Sequence, residues 1–287
     1  MTARILHVSD QEYHNDPCER PSLSHSIAHI LLTESPRHAW LAHARLGGVK
    51  RPTTNAMDDG AILHRLLLGA GRDFEMVMET DWRTNAAKAA RAAIIEKGKI
   101  PILAHKFEAL FEAAKRIAKN AADQGFPIGP PGSQSELAIE WTEIVDGDEI
   151  LCRCRLDQLR RDLVVYDIKK VRSANPTDFA RNICDTGMDI QHHVYTRAVE
   201  MLHGDDALGR VDFVFLCCEI EAPYEVVPGR LSGIYREIGK RRWERALRLW
   251  RQLLKDGSYP WPGYSDGAVV FDAPAYVISR ELPEEYA

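Results

Sequence analysis

The sequence has no apolar run near the ~20 residues needed to cross a bilayer. Its first ten residues, Met1–Asp10, mix polar and charged side chains and lack the hydrophobic stretch of a secretory signal. No membrane association is expected, and a cytoplasmic location is. Cysteine is sparse, with six in 287 residues at 18, 152, 154, 184, 217 and 218, and no two stand in CxxC spacing. Without that spacing neither a zinc nor an iron–sulfur site is expected, and buried free thiols are. There is no internal repeat and no low-complexity tract. A net charge of −5 argues against a protein that coats polyanions generally, but not against one that meets a polyanion through a local patch.

One stretch has such local density. Arg230–Lys255 carries Arg236, Lys240, Arg241, Arg242, Arg245, Arg248 and Arg251 within a helical pattern. Its apolar residues Ile234, Ile238, Trp243, Leu247, Trp250 and Leu254 recur at helical spacing and are expected to face the core. Glu237 and Glu244 can pair with these cations, so a solvated amphipathic face explains the run somewhat better than DNA contact does.

The length of 287 residues suits one large domain or two small ones. Helices are predicted over about Ser26–Leu32, from Pro36 with Ser35 as cap, over Asn55–Leu68, Asn85–Lys97 and Ala104–Ala122, with a short strand at Phe74–Met78. Gly98–Pro101 breaks the two Ala-rich helices. Gly125–Ser133, rich in proline and glycine, is a loop and the expected internal boundary. After it the texture turns to strands at Glu136–Val145, Ile150–Leu156 and Leu163–Lys169, with Asp146-Gly147-Asp148 joining the first two as a hairpin. A helix over Ile190–Leu202, strands at Val211–Cys218 and Tyr224–Val227, and the basic helix follow. The expected class is α/β or α+β, a mixed central sheet flanked by helices in one domain. Residues 1–125 form its mostly helical part, 134–255 its sheet core, and 256–287 a tail that wraps the surface.

The most informative segment is Leu163–Lys170. In the strand Val164-Val-Tyr-Asp-Ile-Lys169, side chains alternate, so Asp167 and Lys169 point to one face and Ile168 to the other. A hairpin with the preceding strand brings Asp157 close to Asp167. Two carboxylates and a lysine can hold a hard divalent cation such as Mg²⁺ and stabilise developing negative charge, which is the requirement of phosphodiester hydrolysis. A cross-strand ion pair accounts for the same residues equally well. Gly60 and His64 stand one helical turn apart. The histidine can reach a metal, and the glycine allows close approach by a backbone or ligand. Glu136 can extend the carboxylate cluster, although it shares a strand face with Glu140 and alternation does not choose between them. Gln191 and Tyr195, at i and i+4 on a predicted helix, can hydrogen-bond phosphate.

The order Gly60-x-x-x-His64, Glu136, Asp157, Asp167-x-Lys169, Gln191-x-x-x-Tyr195 resembles the RecB-type branch of the PD-(D/E)XK nuclease superfamily. Within it, the chain is similar to the RecE-like (exonuclease VIII type) phage and prophage exonucleases. Leu23-Ser-His-Ser26, Leu31–Trp40, Asn55–His64 and Trp82-Arg-Thr84 share in the likeness, which spans about Ser22 to Tyr195. It implies a restriction-endonuclease-like core with Asp157 and Asp167 as principal metal ligands and His64 and Glu136 completing or flanking the site. Lys169 would be the catalytic lysine, with Gln191 and Tyr195 positioning the strand being cut. Asp157 follows Arg-Leu and not proline, and Lys170 stands where threonine is expected, which puts a supporting hydrogen bond in question. The cluster-bearing members need three cysteines near the C-terminus, and none follows Cys218.

The resemblance further implies an Mg²⁺-dependent exonuclease, with Mn²⁺ as a substitute, that acts on ends of double-stranded DNA. Degradation of the 5′-ended strand would leave 3′ single-stranded tails. A ring-like homo-oligomer and a single-strand annealing recombinase as partner are implied in the same way. An endonuclease of the same fold, including a CRISPR-adaptation type, is one rival. A DNA-binding protein that no longer cuts is another, against which the joint presence of Asp157, Asp167 and Lys169 argues.

Overall fold

A computed structural model of the chain describes residues 3–49, 55–129 and 131–282. In chain order these form β1 (Ala3–Leu6), α1 (Asp10–His14), α2 (His25–Thr33), α3 (Pro36–Ala42), α4 (Asn55–Leu68), β2 (Phe74–Val77), α5 (Asn85–Glu96), β3 (Ile100–Leu103) and α6 (Ala104–Asp123). The second half supplies β4 (Gln134–Val145), β5 (Asp148–Leu159), β6 (Val164–Val171), α7 (Pro176–Arg181), α8 (Met188–His203), β7 (Asp212–Glu219), β8 (Val226–Gly229), α9 (Gly233–Asp256) and α10 (Ala275–Glu281).

Six strands make one sheet in the order β1-β4-β5-β6-β7-β8. Every neighbouring pair is antiparallel except β6 and β7. That parallel pair needs a crossover, which α7 and α8 provide. Both sheet faces are covered, so the central strands are apolar on both sides. On one face Val165, Phe213, Phe215, Cys152, Cys154 and Trp141 pack with Val194 and Ala198 of α8, Trp243 and Trp250 of α9, and Leu31 of α2. On the other, Tyr166, Ile168, Val214 and Leu216 pack against Leu63 of α4 and Ala113 and Ile117 of α6. Burying a side chain such as Ile168, 2% exposed, contributes roughly 1.5–3 kcal/mol.

Local sequence explains the helix starts. Ser24 caps α2 by accepting from the Ile27 amide, Thr84 caps α5 through Ala87, and Ser232 caps α9 through Tyr235. Pro36 opens α3 as expected, but the Ser35 hydroxyl bonds His38 Nδ1 at 2.7 Å instead of the helix backbone. The bounds of α4 match the expectation at both ends.

The structure also departs from the sequence reading. The Gly98–Pro101 breaker leads into β3, which pairs in parallel with β2 as a separate two-stranded sheet. Pro101 is tolerated there because such a strand has a free edge. The short elements β1 and α1 at the N-terminus were not foreseen. Ile234 is 75% exposed in the first turn of α9, where the periodicity placed it in the core. The tail wraps the body only to about Gly263: Trp261 is buried edge-on against Trp250, and Arg37 bonds the Trp261 and Pro262 carbonyls. Beyond it, α10 buries no residue, and Phe271 is 94% exposed. Pro130 of the expected loop and the last five residues of the tail lie outside the described residues. The cysteines are free thiols, and five of the six are buried. No helix among the described residues is long and apolar enough to cross a membrane.

Candidate active site

The β5–β6 hairpin is paired only at its closed end, at Gln158↔Tyr166 and Leu159↔Val165. One residue further on, the Asp157 side chain takes over from the ladder: its Oδ2 accepts the Ile168 amide at 2.7 Å. The acid therefore sits at the point where the strands part. Asp167, next to it on β6 and only 1% exposed, pairs with Lys169 on the same strand face, Oδ2 to Nζ at 2.6 Å. Gln191, in the first turn of α8, closes this pair. Its Nε2 donates to Asp167 Oδ1 at 2.6 Å, and its Oε1 accepts from Lys169 Nζ at 3.0 Å. Both amide ends are thus fixed, as the network assigns them.

His64 approaches from α4. Its Nε2 lies 2.8 Å from the Ile168 carbonyl, and Nδ1 lies 3.6 Å from Asp157 Oδ2. Because Nε2–H donates to the carbonyl, neutral His64 keeps its Nδ1 lone pair directed toward the carboxylate. This is the tautomer a metal-ligating histidine adopts.

Glu136 reaches the same place by an unusual backbone. In the β4–β5 ladder it falls opposite Asp157, between the pairs Ser135↔Gln158 and Leu137↔Leu156. Its φ is 53°, in the left-handed region that costs a side-chain-bearing residue about 1–3 kcal/mol. Alternation along β4 could not choose between the two glutamates, but register does, since Glu140 stands opposite Arg153. Glu136 joins His64 and Asp157, with one donor atom from each lying within 4.8 Å of the others. Glu140 instead pairs with Arg4 at 3.1 Å. Gly71 makes room, since a Cβ there would come within 3.2 Å of Glu136 Oε1.

Charge in this site is unbalanced by burial. Burial raises the Asp157 pKa to about 6, nearby Asp167 adds to the rise, and His64 opposes it. Burial works against the charged forms of His64 and Lys169 as well. Asp157 and the Ile168 carbonyl outweigh it at His64, and Asp167 and Asp157 outweigh it at Lys169, so both pKa values rise. Lys169 is therefore a cation at neutral pH, suited to meet phosphate charge and unsuited to act as a base.

The structure thus brings His64, Glu136, Asp157, Asp167, Lys169 and Gln191 to one place. Asp167 stands outside the three-donor group, engaged by Lys169 and Gln191. Tyr195 is one turn deeper on α8, packing edge-on against His25 at 5.3 Å and against Phe213 at 6.0 Å. Burial lifts its pKa well above the ordinary tyrosine value, so it keeps its proton. The space expected beside Gly60 is not used by the protein, since nothing lies within 4 Å of a Cβ built there. Sequence reasoning missed Arg155, whose Nε is 2.9 Å from Glu136 Oε2. The available signal was its place two residues before Asp157 on the same face of β5.

One imidazole nitrogen and two carboxylate oxygens form a donor set that could hold a divalent cation. No family model matches the sequence, and no curated protein matches it. Among solved structures, a candidate exonuclease from Eubacterium rectale is 13% identical, with 96% of this chain and 98% of that one covered and a TM-score of 0.62. The two chains share a fold. SSO0001, 12% identical over 69% of this chain and 87% of its own, has a TM-score of 0.30 and carries no argument. The chain is therefore a mixed α/β protein with a central, mostly antiparallel six-stranded sheet, similar in fold to that protein.

Proposed function

We propose that this chain is a divalent-metal-dependent exodeoxyribonuclease that hydrolyses phosphodiester bonds of linear double-stranded DNA. The observation that carries the reading is the convergence of His64, Glu136 and Asp157, from three separate elements, beside the Asp167–Lys169–Gln191 network. The shared fold of the Eubacterium rectale protein supports it.

His64, Glu136 and Asp157 would hold the cation. A cation held there would supply polarisation of the phosphate and a lower pKa for the attacking water. Asp167 is the fourth proposed ligand, and its ligation requires the pair with Lys169 to loosen. Lys169 donates to the phosphate as charge develops. Gln191 holds Lys169 and Asp167 in register, and Tyr195 packs beneath them as a protonated donor near the strand being cut. Within this reading the chain is of the RecE-like type, on the strength of the sequence resemblance. It would digest the 5′-ended strand to leave 3′ tails, as a ring-like oligomer serving a single-strand annealing recombinase.

Paired digestion of linear and covalently closed duplex DNA with Mg²⁺, using wild type and Lys169→Ala, tests the proposal. Loss of linear DNA alone, abolished by EDTA and reduced about 10²–10³-fold by the substitution, is expected. Cutting of closed circles would make the protein an endonuclease. No cutting by folded wild type would leave a DNA-binding role.

A further inference from the structure

Beside the three donors stands a cation that the proposed chemistry does not use. Arg155 lies on the same face of β5 as Asp157, and its Nε is 2.9 Å from Glu136 Oε2. On its far side, Nη1 is 2.8 Å from Asp10 Oδ1, and the guanidinium lies 4.9 Å from the centre of the Tyr13 ring. Asp10 and Tyr13 both belong to α1, a five-residue helix closed at its start by reciprocal bonds between Ser9 and Glu12. Hydrogen bonding to His14, together with Arg155, holds the Asp10 carboxyl well below the ordinary range, so it is a fixed anion.

Glu136 needs such a support. Its backbone is left-handed, and Gly71 beside it only leaves space. A guanidinium next to a ligand carboxylate has two opposed effects: its charge repels a cation, and its directed N–H bond removes freedom from the carboxylate. Here Asp10 already offsets much of the charge, while the directed bond to Glu136 remains. The orienting effect therefore prevails.

We propose that Arg155 is a positioning residue: anchored by α1, it holds Glu136 in its ligating orientation and so sets the affinity of the site for a divalent cation. The proposal rests on the metal-nuclease reading above. It assigns the N-terminal β1–α1 segment a part in the site that no sequence motif announces.

The test is Mn²⁺ binding without DNA, read from the electron paramagnetic resonance signal of the free ion, with melting in EDTA to check folding. Wild type is compared with Arg155→Met, Arg155→Lys, Glu136→Gln, Asp157→Asn and the Arg155→Met/Glu136→Gln double variant. Both Arg155 variants should bind Mn²⁺ about tenfold more weakly, as losses of partners behind metal ligands do. The double variant should bind no worse than Glu136→Gln alone. Unchanged or tighter binding by Arg155→Met would overturn the proposal, because charge repulsion would then prevail. An added loss in the Glu136→Gln background would also overturn it, since Arg155 would not be acting through Glu136. If Arg155→Met fails to fold, Asp10→Asn removes the anchor from outside the site; weaker Mn²⁺ binding supports the proposal and wild-type binding overturns it. Failure of wild type to bind Mn²⁺, or undiminished binding by Asp157→Asn, would instead sink the metal reading itself.

Discussion

Asp157→Asn should make the metal-free protein more stable while removing its metal site. The carboxyl is 15% exposed and titrates at about 6, against an ordinary value of 3.8. A shift of that size corresponds to roughly 3 kcal/mol by which the ionised side chain disfavours the folded state. Asparagine carries no charge, and its amide oxygen can still accept the Ile168 N–H. Allowing for the lost contact with His64, a gain of about 1–3 kcal/mol remains, or roughly 2–5 °C in melting temperature for a chain of this size. The sign follows from linkage. A folded-state pKa above the unfolded one means the penalty is absent below pH ~4 and complete above pH ~6. The advantage of Asp157→Asn should therefore be largest at pH 7.5 and vanish near pH 4. Melting of both proteins in EDTA across that range, with the difference taken at each pH, isolates this group from the other carboxylates. A variant that melts at or below wild type at pH 7.5, or a difference independent of pH, would refute the reasoning. Added Mn²⁺ should reverse the order, since it stabilises only a protein that binds it.

Two further substitutions probe the frame that carries the site. A Cβ at Gly239 of α9 would lie 2.0 Å from the Asp189 carbonyl oxygen at the start of α8, so Gly239→Ala must push the two helices apart. It should destabilise by about 2 kcal/mol or more in urea unfolding despite the better helix propensity of alanine, and a smaller loss would mean that the helices can separate freely. Asp16 is fully buried between Arg153 at 2.9 Å, His43 at 3.2 Å and the Ser22 hydroxyl at 2.7 Å. Asp16→Ala leaves the Arg153 charge buried without its carboxylate and should cost about 3–5 kcal/mol by the same measurement, whereas a loss under 1 kcal/mol would show that the network is not structural.

Much of the sheet was legible because its strands are long and bounded by strong turn signals. The Asp146-Gly147-Asp148 turn fixes the β4–β5 register, and Val164–Tyr166 is apolar and β-branched enough to mark β6. The strands β1 and β3 were not legible. Each has four residues, and its stability comes from the strand it pairs with and not from its own composition. Ile234 misled the periodicity: in the first turn of α9 it is Tyr235, next to it, that packs against the core and bonds the Ala180 carbonyl.

In the site, residue types and the order of motifs that the sequence has in common with the nucleases it resembles were enough to name Asp157, Asp167, Lys169, His64 and Gln191 as candidates, with strand alternation putting Asp167 and Lys169 on one face. Their grouping was set by the fold. Glu136 and not Glu140 stands opposite Asp157 in the β4–β5 ladder, a register set by pairing between strands and not by alternation within one. Asp167 was drawn to Gln191 of α8, and Arg155 to Asp10 of α1, by contacts between elements distant in the chain. Periodicity is a local property of the backbone, whereas the partner of a buried charge is set by whichever distant group folding brings within a few ångströms, where a low dielectric makes the pairing decisive.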